Sequence, residues 1–150
     1  MKVLIKISSL QVFFLFGILL VSFINPNDRH IGTWEGTDDS AQSGQMILDK
    51  TNHCVFIIGE EKLGGEEFEI DGIKAECRYE IDYSKTPVWL DIIFISKADK
   101  VEKGRLKAII RFISDDKMEM RMNPESNERY TKFDASDKEN SMMFKRVKGN

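Results

Sequence analysis

Two cysteines and two histidines are the first residues of this 150-residue chain to weigh for chemistry. Cys54 shares parity with Phe56 and Ile58, and Cys77 shares parity with Ala75 and Tyr79, so both thiols are expected on the inner faces of strands. Where those strands pair, the thiols meet. In an oxidising compartment a disulfide closing that 24-residue segment would contribute about 3 kcal/mol. Two reduced cysteines acting as small buried hydrophobes is the equal alternative. His30 falls in a polar stretch and His53 has the opposite parity from Cys54, which predicts two solvated histidines and no base for a Cys-His or Ser-His-Asp site. Four zinc ligands cannot be gathered from so few His and Cys, and neither metal nor cofactor is expected.

The acidic pairs are equally thin. Asp38-Asp39 and Asp115-Asp116 are neighbours in sequence at turn positions, where they read as turn formers rather than a general acid and base. Glu60-Glu61 and Glu66-Glu67 flank Gly64-Gly65, a solvated loop that lacks the Lys and Ser/Thr of a phosphate-cradling loop. The expectation is a protein that is not an enzyme. What remains is methionine: Met118, Met120 and Met122, with Met142 or Met143 on a later strand, would make an adaptable apolar surface suited to a pocket. The competing reading is that they fill a small barrel, and a mostly filled interior with a small cavity near one mouth is expected.

The elements that must hold these residues are strands. From residue 31 onward no window sustains a 3.6-residue period, while short β-rich runs recur between turn signals at 31–36, 45–49, 54–58, 73–83, 88–95, 104–113, 117–122 and 142–147. The clearest is 73–83, where Ile73, Ala75, Cys77, Tyr79, Ile81 and Tyr83 alternate with Lys74, Glu76, Arg78, Glu80 and Asp82. Such alternation means one buried and one wet face, as in an antiparallel sheet. Residues 88–95 are apolar on both faces apart from Asp91, which predicts a deeper position or a partner. The polar stretch 123–141 is long enough to be functional or loosely ordered. The fold class is thus all-β: an antiparallel barrel of eight strands, nine if 68–70 pairs, with a two-sheet sandwich as competitor. Gly32-Thr33-Trp34 opens the first strand and predicts a Trp plugging one barrel end.

Residues 1–24 are of a different kind. Lys2 and Lys6 precede an apolar run reaching Ile24, the charged and hydrophobic regions of an export signal or an uncleaved anchor helix. No Cys lies there, so lipoprotein attachment is excluded. Residues 25–30 read as a linker, and 31–148 as the barrel domain. The expected location is exported, whether periplasmic, cell-surface or secreted, or membrane-anchored if the segment stays. Without the two lysines the formal charge of −3 becomes −5, which argues against a nucleic-acid partner.

Gly32-Thr33-Trp34 together with Arg146 in the last strand resembles the lipocalin (calycin) arrangement, in which a late Arg packs over the G-x-W tryptophan. Residues 79–87 followed by Leu90-Asp91-Ile92 are similar to the strand-Pro-strand segment of uncharacterised bacterial lipocalin-like domains. Arg129-Tyr130-Thr131-Lys132-Phe133 resembles their Arg-Pro…Phe segment, with Tyr in place of Pro. The resemblance covers nearly all of 31–147 and implies a lipocalin-like barrel closed at one end by Gly32, Trp34 and Arg146. Its functional implication is a non-catalytic module binding a small hydrophobic molecule or envelope material, with Phe56, Tyr79, Trp89, Phe112 and Met120 as expected pocket residues. The alternative is a filled barrel serving as an envelope interaction or structural module, through 123–141 or 88–95.

Overall fold

Strict alternation of apolar and polar residues leaves a strand only one way to lie, apolar side inward, and this chain applies the rule around a whole barrel. The computed structural model describes residues 26–37 and 43–148. A 3-10 turn at Pro26–Asp28 leads into ten strands: β1 Gly32–Thr37, β2 Ser43–Leu48, β3 Cys54–Ile58, β4 Glu61–Gly64, β5 Phe68–Ile70, β6 Ile73–Asp82, β7 Val88–Ser96, β8 Glu102–Ser114, β9 Lys117–Met122 and β10 Ser141–Arg146. They form one antiparallel sheet in the order β4-β3-β2-β1-β10-β9-β8-β7-β6-β5. The sheet curls until β3 meets β6, where His53 bridges Arg78 and the Tyr79 N–H donates to the Asn52 carbonyl at 2.9 Å. The result is a nearly closed barrel, eight strands around, with β4 and β5 as a lip beyond the seam. The export or anchor reading of 1–24, Asn25, and the Asp38-Asp39 pair lie outside the described residues.

The ten strands exceed the expected eight by two, and the expected nine, with 68–70 paired, by one. Residues 68–70 do pair, against β6, and β4 is an addition within what the sequence offers as a charged loop. Gly64 and Gly65, both at positive φ (100° and 83°), carry the chain from β4 across the seam. Gly65 stitches it: its N–H donates to the Cys54 carbonyl, and its carbonyl accepts from the Cys77 N–H, each at 2.8 Å.

The interior is filled for most of its length. Trp34, Leu48, Leu90, Ile92, Ala108 and Ile110 are all fully buried in one cluster. On β6, Ala75, Cys77 and Tyr79 are buried while Lys74, Arg78 and Glu80 are exposed, the alternation the sequence announces.

The apolar outer face of β7 finds partial cover within the chain, with Ile93 buried and Trp89 exposed. Ile93 is flanked by Arg78 and Arg105, whose aliphatic stems mask apolar surface while their heads reach water. Trp89 lies under the Arg129 guanidinium, 4.4 Å from ring centre to Cζ. Residues 123–140 form a strap over the outer faces of β7, β8 and β9. Arg129 pairs with Asp91 and donates to the Ala108 carbonyl at 2.6 Å. Arg121 pairs with Asp137, donates to the Lys132 carbonyl at 2.7 Å and stacks on Tyr130 at 3.8 Å. Arg111 stacks on Phe133 at 4.4 Å. The strap is why Glu119 and Arg121, on the outward side of β9, are buried.

Candidate functional site

A cavity with an almost wholly apolar wall opens at the end of the barrel where β1 ends and β2 and β10 begin. It encloses about 290 Å³ and is walled by β1, β2, β3, β9 and β10. Four thioethers converge on it, from Met46, Met120, Met122 and Met142, joined by Phe56, Ile58 and Phe144. Alternation puts them there: Met120 and Met142 stand opposite each other in the β9–β10 register, and Met46 stands opposite Phe56 in β2–β3. Gly36 is the condition for this packing, since a Cβ there would come within 2.7 Å of the Met142 sulfur and 2.8 Å of the Phe144 ring. Among the described residues, Ser43 and Gln45 are the only side chains on the wall with polar atoms besides sulfur, and no titratable group lines it. A wall of this kind suits an uncharged molecule, gripped by shape and contact area.

Larger hollows exist on the outside. One is walled by Asp91, Glu102, Lys107 and Arg105, whose guanidinium pairs with Glu102, Glu80 and Asp91 at 2.8–2.9 Å. Among the described residues, no three His, Cys, Asp or Glu side chains are grouped to hold a metal ion.

The opposite end is sealed. Arg146 lies over the Trp34 ring at 4.2 Å and donates to the carbonyls of Ile31 (2.7 Å), Arg29 (2.5 Å) and Asp115 (3.0 Å). Gly32 has φ of 139°, and a Cβ on it would sit 2.6 Å from an Arg146 nitrogen, so glycine is what lets the guanidinium lie flat. Beneath the ring, the Trp34 Nε1–H donates to the His30 carbonyl at 2.7 Å.

Both histidines depart from expectation. His30 belongs to no solvated linker: it is buried, with Nδ1 2.9 Å from the Tyr83 hydroxyl and Nε2 3.1 Å from the Tyr79 hydroxyl. Tyr79 spends its own proton on the Asp49 carbonyl at 2.5 Å. That assigns the His30 proton to Nε2, with Nδ1 accepting from Tyr83. Burial holds the His30 pKa below its ordinary value and pushes Tyr79 up to about 12. His53 does lie outside the barrel wall, yet it too is buried, enclosed by Thr51 (2.8 Å) and the Glu76 carboxylate (3.7 Å). Period-two parity reports which side of a sheet a residue faces, and it is blind to what covers that side.

The five expected pocket residues separate accordingly. Phe56 and Met120 line the cavity. Tyr79 is inward but tied into the polar network under Trp34, and Phe112 is at the sealed end too, 6.1 Å from Trp34 and stacked on Tyr83. Trp89 is on the outer face, between Lys85 and Arg129. The residues the sequence reading did not name are Met46, Phe144 and Gly36. Met46 was legible in principle, because it shares inward parity with Leu48 on the second strand.

Cys54 and Cys77 come together. Both are free thiols, fully buried, side by side on the inner face of the seam. A hydrogen bond with Cys77, reinforced by burial, pushes the Cys54 thiol far above its ordinary pKa. Neither is poised as a nucleophile in the closed barrel.

Among the described residues no helix is long and apolar enough to cross a membrane. Compared with family models, curated proteins and solved structures, the chain matches none.

Proposed function

We propose that this chain is an exported, non-catalytic lipocalin-like module whose methionine-lined mouth takes up a small, uncharged apolar molecule. The observation that carries the reading is the cavity itself, about 290 Å³ and walled by four Met, two Phe and an Ile, with no ionisable group among the described residues that line it. Ligand sites run from about 300 Å³ upward, so the occupant is a compact molecule or the end of a chain, smaller than a typical drug-sized ligand. Flexible thioethers adapt to such shapes at little cost. The lipocalin-like reading is supported by Arg146 over Trp34 and by the neighbour-to-neighbour order of the strands.

The test uses the full chain purified without denaturation, examined by native mass spectrometry for a co-purifying apolar molecule and titrated with an uncharged fluorescent probe, N-phenyl-1-naphthylamine. Uptake is expected. Met122→Trp, which fills the mouth from a half-buried position, should weaken uptake at least tenfold. A chain that carries nothing and takes up no probe would exclude ligand carriage and leave the second reading, a structural or interaction module. That reading is favoured by one observation, the filled lower barrel of Leu48, Leu90, Ile92, Ala108 and Ile110.

A further inference from the structure

We propose that Cys54 and Cys77 form a disulfide that locks the seam of the barrel, a modification independent of whether the cavity holds a ligand. Neighbouring strands elsewhere around the barrel are joined by ladders, whereas β3 and β6 share one bridge, His53 with Arg78, and the Gly65 stitches. That bridge puts Cys54 opposite Cys77 in the antiparallel register, and both side chains enter the same core cluster. These are the only two cysteines in the chain.

The backbone crowds the same point. A Cβ on Gly64 would collide with the Cys54 carbonyl and lie 3.1 Å from the Cys77 Cβ, so the crossing chain is packed directly against the pair. A covalent link here holds the joint with the fewest hydrogen bonds, and with it the β3 wall that carries Phe56 into the cavity two residues along.

Both thiols are fully buried, so exchange must occur before the seam closes, during folding. With glutathione disulfide as oxidant, one cysteine thiolate attacks the glutathione S–S bond and expels one glutathione thiolate. The second cysteine then attacks the protein-side sulfur of the mixed disulfide and expels the other. Overall, two protein thiols and one glutathione disulfide become one protein disulfide and two glutathione thiols.

The full chain, unfolded and reduced, is refolded in a mixture of reduced and oxidised glutathione and analysed by intact mass and by alkylation after unfolding without reductant. The expected result is a monomer about 2 Da lighter than the reduced chain, with neither cysteine alkylated. The same chain refolded in reductant should melt on the order of 10 °C lower. The Cys54→Ala/Cys77→Ala variant keeps small apolar side chains and should melt near the reduced wild type, indifferent to reductant. Full alkylation of both cysteines, a product carrying glutathione adducts, or equal melting temperatures for the chain refolded with oxidised glutathione and the chain refolded in reductant would each overturn the proposal.

Discussion

Single residues decide how the sealed end holds. Trp34 is fully buried and touches Arg146, Phe112 and the His30 carbonyl, so Trp34→Ala should cost about 3–5 kcal/mol, read as a large drop in denaturation midpoint. Arg146→Lys keeps the charge and loses the flat stack and the fork that reaches three carbonyls, a loss of about 2 kcal/mol by chemical denaturation. His30 supplies a pH signature. Its pKa in the fold is below the unfolded value of 6.5, so above pH 6.5 both states are neutral and nothing is lost. As pH falls through 6.5 the unfolded chain takes up a proton that the buried imidazole refuses, and stability declines until the folded pKa is reached. Melting temperatures between pH 7.5 and 5.5 should therefore fall with pH, and His30→Gln should flatten that slope. Carboxylates such as Asp99, held down by Lys103, act at lower pH. Gly32, Trp34 and Arg146 were legible in the sequence because their types are unusual where they stand. The burial of His30 was not, because tyrosines 49 and 53 positions away create it.

At the scale of elements, legibility follows period. The strand at 73–83 was plain because eleven residues alternate, and it appears as β6 with only its last residue outside. β4, Glu-Lys-Leu-Gly, is too short and too charged to show any period, and pairing with β3 makes it a strand. The strap is the opposite case: its polar composition gives no hint that three arginines on or beside it meet aromatic rings. Tyr130→Ala should release one of those contacts and cost about 1 kcal/mol. Amide exchange should then quicken across 123–140 while the β6–β7 ladder keeps its protection, a local effect that hydrogen-exchange mass spectrometry resolves. The two-sided β7 has the same lesson. Its outward Ile93 is buried between arginines of this chain, while Trp89 carries Arg129 on its ring and stays exposed.

Across the whole molecule, one end is sealed by charge and hydrogen bonds, the middle is packed, and the other end keeps a cavity walled by methionine. The barrel was readable from alternation and turn spacing, since those set which face of each strand turns inward. The cavity's position was not, because it depends on which inward residues share a level once ten strands are in register. Met118 and Met120 look equivalent in sequence, yet Met118 packs in the filled interior and Met120 lines the cavity. That distinction gives the most direct test of the central claim. With methyl-labelled methionine, NMR of the full chain titrated with an uncharged probe, 1-hexanol, should shift the methyl signals of Met46, Met120, Met122 and Met142. Met118, in the packed interior, and Met143, on the outer face, should stay where they are. No shift at saturating probe, or a shift confined to Met143, would contradict the account.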